Sequence, residues 1–146
     1  MTSTNIKPVD KKELDSMLQK AIEQVKNVGA EPCMDIKPKV RTYKATSYFG
    51  LCRMRDNQFE ITISEYHLEN GYQAVMKTMV HEVIHTVEGC LNHGDKWKLI
   101  ANKVNAKYGY NIARVGSKEH GYTLRKAAET NIKYQIQCEK CGSLNL

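Results

Sequence analysis

The sequence predicts an α+β fold with three main helices and a small, largely antiparallel sheet. Three stretches carry apolar residues at three- and four-residue spacing, which is typical of helices that bury one face. Between the first two of them lie segments rich in β-branched and aromatic residues, which favour strands. With 146 residues, the chain fits one compact domain and a small appendage.

The first helix is expected to begin after Asp10, because Glu13 follows three positions later as in a capping box. We expect Asn27 and Gly29 to end it and the helix to cover one face of the sheet. The apolar residues at helical spacing are Leu14, Met17, Leu18, Ala21, Ile22 and Val25.

The sheet is expected to contain strands over residues 40–49 and 58–64. Pro32 and Pro38 interrupt regular structure before the first strand, so residues 31–39 are predicted to form a loop. The charged residues 53–57 then serve as a hairpin connection, and antiparallel pairing is the simplest topology.

The second helix contains the stretch His81-Glu82-Val83-Ile84-His85, and Gly89 is expected to end it. On a helix, the two imidazoles project from one face and can bind one metal ion. The alternative is an amphipathic helix with ordinary polar histidines. The apolar stripe and the absence of Pro or Gly between the histidines favour the metal site. The stripe comprises Val75, Met76, Met79, Val80, Val83, Ile84 and Val87.

Zinc is the expected metal, because imidazole ligands suit it and catalytic zinc usually takes three protein ligands and one water. His93 is the nearest candidate for the third ligand, since a turn at Gly94 can fold the chain back. Glu82 is the candidate general base for a water whose pKa zinc can lower to about 7. His67, a lone histidine, is left outside the site.

The spacing excludes the metzincin pattern, which has glycine and histidine three and six residues after the second zinc histidine. Here those positions hold Glu88 and Leu91. A third helix is expected from an Asp95 cap to Tyr108, ending at Gly109. Trp97 within it is expected to pack under the metal site.

The chain has five cysteines, of which Cys138 and Cys141 form the only close pair. The pair favours metal binding or redox chemistry, and we expect reduced thiols at the others, because no secretory signal is evident. A structural zinc needs four ligands. Either the sequence stops before a second pair, which we favour, or another residue such as His120 completes the site, or the pair binds nothing. The scattered cysteines are Cys33, Cys52 and Cys90.

These motifs resemble the SprT-like family, which includes the Spartan proteases. The resemblance rests on residues 81–85, on His93-Gly94 with the aromatic Trp97 three positions after the glycine, and on the Gly-x-Cys segment 50–52. Residues 138–142, Cys-Glu-Lys-Cys-Gly, look like the first half of a zinc ribbon.

The resemblance implies a zincin-like metalloprotease domain over residues 1–130, followed by a partial, truncated zinc ribbon over 131–146. It also implies zinc ligation by His81, His85 and His93 with Glu82 as catalytic base, and a second metal site that includes Cys138 and Cys141. The implied activity is a zinc-dependent metalloendopeptidase with protein substrates, which in Spartan-type members are proteins crosslinked to DNA. A sheet-edge strand could then receive the substrate peptide, although a purely structural hairpin is an equal alternative.

The net charge of +6 and the pI near 9.0 agree with a polyanionic partner. The basic residues are concentrated from Lys96 onward, which favours DNA over a membrane, whereas a solvated lysine surface is the alternative. Two other functions remain open: a DNA-binding metalloprotein with structural zinc, and a general intracellular peptidase independent of DNA. We expect a cytoplasmic location, or the nucleoid or nucleus if the function is DNA-linked; the sequence predicts no oligomeric state.

Overall fold

The computed structural model describes residues 7–113 and confirms an α+β fold with three main helices. Its 3-10 helices are Lys11–Glu13 and Glu65–Asn70; its α-helices are α1 (Leu14–Lys26), α2 (Tyr72–Ile84) and α3 (Asp95–Tyr108); its strands are β1 (Arg41–Tyr43), β2 (Gly50–Arg55) and β3 (Gln58–Ser64). No helix within this part of the chain is long and apolar enough to span a bilayer. The expected ribbon over 131–146, with Cys138 and Cys141, and His120 lie outside the described residues.

The N-terminal helical segment begins as predicted. The Asp10 carboxylate accepts a hydrogen bond from the Lys12 N–H at 2.9 Å, and the Glu13 carboxylate accepts one from the Asp10 N–H at 3.4 Å. This reciprocal pair satisfies two donors that the first turn leaves free. The chain leaves α1 through Gly29, whose φ of +90° favours glycine. The buried face, which packs on α2, comprises Leu14, Met17, Leu18, Ala21 and Val25.

The sheet is mixed, with strand order β1-β3-β2, so the expectation of a largely antiparallel sheet is corrected. β2 pairs antiparallel with β3, whereas β1 pairs parallel with it and covers only part of the strand expected over 40–49. The chain after β1 crosses the end of β3. There the Ser64 hydroxyl donates to the Ala45 carbonyl at 2.7 Å, and the Ser64 N–H donates to the Phe49 carbonyl at 2.9 Å.

An antiparallel hairpin ends in β3 as expected, but its first strand is β2 and not the strand expected over 40–49, and its connection is shorter. The residues Arg53, Met54 and Arg55 belong to β2, and the turn consists of Asp56 and Asn57 with φ angles of 55° and 65°. Positive φ at both central residues is the requirement of a type I′ turn. Charged side chains fit β2 because it is an edge strand whose later residues are exposed.

α2 lies against one side of the sheet, whereas α1 packs mainly on α2, so the expectation that the first helix covers a face of the sheet is corrected. Ile61 and Ile63 of β3, together with Cys52 of β2, are buried on that side. Both β2 and β3 pack against α2. The helix that carries the candidate metal ligands is therefore held directly by the hairpin.

Candidate metal centre

The candidate metal-binding motif lies at the C-terminal end of α2. The helix ends at Ile84, earlier than the stop expected at Gly89, and His85 is its C-cap in a right-handed helical conformation. Hydrogen bonds of the tighter i to i−3 kind continue through Thr86 and Val87. Because His85 keeps helical dihedral angles, its ring stays on the same face as that of His81, with ring centroids 5.2 Å apart.

The loop after α2 brings His93 back to that face. The His85 Nδ1–H donates to the Cys90 carbonyl at 2.8 Å. From the first turn of α3, the Lys96 ammonium donates to the Glu88 carbonyl at 2.7 Å. These two bonds tie the loop at both sides, which fixes the position from which His93 projects.

The start of α3 differs in detail from the expectation. Gly94, not Asp95, is the N-cap residue, and the Gly94 N–H donates to the Asn92 side-chain carbonyl at 2.9 Å. Asp95 occupies the first turn, where a carboxylate interacts favourably with the helix dipole. The end of α3 is as predicted, with Gly109 in the left-handed conformation.

The structure brings the three predicted histidine ligands together. His93 Nε2 lies 3.0 Å from His81 Nε2 and 3.1 Å from His85 Nε2. A tetrahedral zinc ion with Zn–N bonds of about 2.0–2.1 Å separates its nitrogen ligands by about 3.3 Å. The three nitrogens therefore fit the coordination of one cation. Without a cation, one ring N–H could not donate a hydrogen bond to both of the other nitrogens.

Backbone carbonyls orient two of the three rings. The bond from His85 Nδ1 to the Cys90 carbonyl places the free lone pair of that ring on Nε2, and the backbone of Ala113 hydrogen-bonds the ring of His81. Such outer partners fix the tautomer of a ligating histidine. Burial, with repulsion from His85 and His93, holds the pKa of His81 well below its usual value, and burial lowers the pKa of His85 to about 4. Neutral imidazole is the form that binds metal.

Trp97 packs against the three histidines, as predicted. Its ring centroid lies 4.7 Å from that of His93, 4.8 Å from His81 and 5.8 Å from His85. Only 1% of its surface is exposed. This buried indole limits the rotation of all three imidazoles, so the ligand geometry does not depend on a bound ion alone.

Glu82 lies beside the three nitrogens and is almost completely buried. Its Oε2 is 4.0 Å from His81 Nε2, and burial raises the pKa of the carboxyl to about 8. A nearby cation would lower this pKa again, because it favours the charged carboxylate. The group can therefore exchange a proton at near-neutral pH, as a general base must.

The sequence analysis did not predict a group of contacts behind Glu82, which joins β2, α2 and the 3-10 helix Glu65–Asn70. A Cβ added to Gly50 at the start of β2 would lie 2.5 Å from Thr78 Cγ2 and 3.3 Å from Glu82 Cγ. Thr78 Oγ1 in turn accepts from His67 Nε2 at 2.8 Å, and His67 Nδ1 accepts from the Asn70 side chain at 2.8 Å. The Gly-x-Cys motif was the available signal for this close approach.

His67 is part of these contacts behind Glu82 and is not part of the three-histidine cluster. It is completely buried, and burial lowers its pKa to about 3. Sequence reasoning left His67 outside the metal site, and within residues 7–113 the only cluster of three side chains that could hold a metal ion consists of His81, His85 and His93.

Comparison with known proteins identifies one family. The model described as the SprT-like family matches residues 14–116, which is more than half of the chain. No curated protein and no solved structure matches the chain. The matched range covers the sheet, all three α-helices and the three histidines.

Proposed function

The chain belongs to the SprT-like family, and from that premise we propose that it is a zinc-dependent metalloendopeptidase. The observation that carries the proposal is the convergence of three Nε2 atoms beside a buried carboxylate. Three nitrogen ligands favour zinc among the common divalent ions and leave a fourth position for water or substrate. When bound, the metal supplies Lewis-acid activation of a water molecule and of the scissile carbonyl.

The residues of the chain divide the remaining work. His81, His85 and His93 hold the ion, and the Cys90 carbonyl and Trp97 hold the rings in their binding orientation. Glu82 takes a proton from the attacking water at its carboxylate and returns it to the leaving amine. This shuttle fits a carboxyl whose buried setting raises its pKa into the working range.

The substrate peptide is proposed to lie along β2. This strand is at the edge of the sheet, and its first residue, Gly50, packs beside the Glu82 side chain. An edge strand offers unpaired backbone groups that an extended peptide can bind by strand addition. Main-chain recognition of this kind imposes little sequence preference, which suits a protease that acts on many proteins.

A DNA-bound or DNA-crosslinked protein is the proposed substrate class. The support is the family, together with the basic residues from Lys96 onward, of which Lys98, Lys103 and Lys107 lie exposed on α3. A polyanion near the enzyme would concentrate proteins bound to the same polyanion. One alternative is a general peptidase with the same mechanism that does not depend on DNA. The other is a DNA-binding protein whose zinc is structural and which has no protease activity.

The test compares the wild type with Glu82→Gln, using a DNA-binding protein as substrate with and without single-stranded DNA. Glu88→Gln, the same change at an exposed position in the loop between α2 and His93, is the matched control. We expect Glu82→Gln to retain zinc and lose cleavage, and Glu88→Gln to keep both. Cleavage that ignores DNA would favour the general peptidase. Zinc-loaded wild type without any cleavage would overturn the enzyme proposal.

A further inference from the structure

A half-buried asparagine near the end of α3 binds the backbone of the segment that follows the helix. The Asn105 side-chain carbonyl accepts a hydrogen bond from the Ile112 N–H at 2.8 Å, and the Asn105 side-chain N–H donates to the Ile112 carbonyl at 3.0 Å. One side chain therefore binds both backbone groups of one residue, as a neighbouring strand would. The proposed mechanism does not use this pair of bonds.

The chain has to reverse direction between these two residues. Gly109 makes the reversal with a φ of +72°, and its N–H donates to the Asn105 backbone carbonyl at 2.9 Å. Asparagine is a poor helix former, because its side chain competes for backbone hydrogen bonds. At position 105 the side chain directs its hydrogen bonds to Ile112, beyond the end of the helix. The returning segment is therefore held against α3.

Ile112 is held by its own side chain as well. Only 6% of its surface is exposed, and it belongs to the same hydrophobic core as Val104 of α3. Both the backbone and the side chain of Ile112 therefore have a defined position. A single planar peptide unit, which separates Cα atoms by about 3.8 Å, joins it to Ala113. The backbone of Ala113 consequently has little freedom of its own.

The position of Ala113 matters because its backbone accepts a hydrogen bond from the His81 ring. His81 Nε2 lies 3.0 Å from His93 Nε2, so Nδ1 is the nitrogen that donates to Ala113. A proton on Nδ1 leaves the lone pair on Nε2, the atom that faces the other histidines of the cluster. The backbone at position 113 therefore determines how the His81 ring meets a metal ion.

We propose that Asn105 positions the metal ligand His81 through the backbone of residues 112 and 113. The ring of His85 shows the same arrangement, since the loop that contains its carbonyl partner is hydrogen-bonded to Lys96. One helix, α3, then orients two metal ligands, with a lysine in its first turn and an asparagine in its last. The inference rests on the proposed zinc site and does not require proteolysis.

The test compares the zinc affinities of the wild type, Asn105→Ala and Asn27→Ala by chelator competition on the full chain. Asn27→Ala is the matched control, because it makes the same change and removes a hydrogen bond of 3.0 Å to the Tyr108 hydroxyl, also at the end of α3. We expect Asn105→Ala to weaken zinc binding at least about tenfold and Asn27→Ala to leave it unchanged. Asn105→Asp keeps the acceptor for the Ile112 N–H and loses the donor, so it should also weaken binding. It serves in place of Asn105→Ala if the alanine variant does not fold.

A proton resonance separates positioning from a general loosening of the fold. In the zinc-loaded wild type, His81 and His85 should each show a slowly exchanging Nδ1–H in the NMR spectrum, because each is hydrogen-bonded to the backbone. Asn105→Ala should lose the His81 signal and keep the His85 signal, which is the internal reference. A change that only destabilised the fold would affect both signals.

Two outcomes would overturn the inference alone. One is equal zinc affinity in Asn105→Ala and Asn27→Ala, and the other is a His81 Nδ1–H signal that Asn105→Ala retains at full intensity or loses only together with that of His85. A wild type that binds no zinc would overturn the proposed metal site and this inference together. Because zinc binding and the proton signals are measured without substrate, none of these results depends on the proposed protease activity.

Discussion

Replacing Gly50 with alanine should push β2 away from α2. The added Cβ would lie 2.5 Å from Thr78 Cγ2, whereas carbon atoms pack at about 3.5–4.0 Å, so about 1 Å of movement is needed. Thr78 cannot rotate its methyl away cheaply, because its hydroxyl is bound to the buried His67. Overpacking of this kind costs about 1–3 kcal/mol.

An opposing effect is smaller. Alanine restricts the unfolded chain more than glycine does, which stabilises the fold by about 0.4–1 kcal/mol. We therefore expect a net loss of about 1–2 kcal/mol in the free energy of unfolding of Gly50→Ala, measured by urea denaturation. For a chain of 146 residues, the Tm should fall by about 3 °C for each kcal/mol. Cleavage should fall as well, with zinc content unchanged, because the added methyl also lies 3.3 Å from Glu82 Cγ.

Thr78→Ser provides the decisive comparison. Serine removes Cγ2 and keeps the hydroxyl that His67 contacts, so it opens the space that the alanine methyl needs. In Gly50→Ala/Thr78→Ser, the destabilisation should be smaller than the sum of the single variants by at least about 1 kcal/mol. Additive effects within about 0.3 kcal/mol would refute the close contact between β2 and α2.

Three further changes have defined outcomes. The folded pKa of His67 is about 3 against 6.5 for a free histidine, so the unfolded chain binds the proton first and stability falls as pH drops below about 6.5. At pH 4.5 this residue lowers the free energy of unfolding by about 2.7 kcal/mol. The free energy of unfolding of His67→Gln should therefore depend less on pH, and an unchanged pH dependence would contradict this argument. Lys96→Met removes the hydrogen bond to the Glu88 carbonyl and should weaken zinc binding about tenfold in a chelator competition. A zinc affinity equal to that of the wild type would contradict this prediction. Asp10→Ala should cost about 1 kcal/mol of stability and leave zinc affinity unchanged.

Features that depend on local sequence were predictable. The first helix was found because its cap, its apolar spacing and its terminal glycine are all close in the chain. The clustering of the histidines was predictable because a spacing of four residues places His81 and His85 on one helix face. His93 needed only one turn to reach that face, and its neighbour Trp97 occupies the expected position under the rings.

Features that depend on pairing between distant segments were not predictable in the same way. β1 joins β3 in parallel, and nothing in residues 41–43 identifies residues 62–64 as their partners. β2 was not predicted as a strand of its own: the strand was expected over 40–49 and the charged residues 53–57 as a loop, although Asp56 and Asn57 carry the signal of a two-residue turn. The contact of Gly50 with Thr78 likewise joins residues that only the folded chain brings together.

β2 links the candidate metal centre to the surface through its two faces. Toward α2, Gly50 fits against the helix beside Glu82, and Cys52 is buried in the core. On the opposite side of the strand, Arg53 and Arg55 are exposed. Because side chains alternate along a strand, one short segment can fix the distance to the Glu82 carboxylate and also carry exposed cations. Gly50→Ala, which acts on the side toward α2, should therefore reduce cleavage of every substrate.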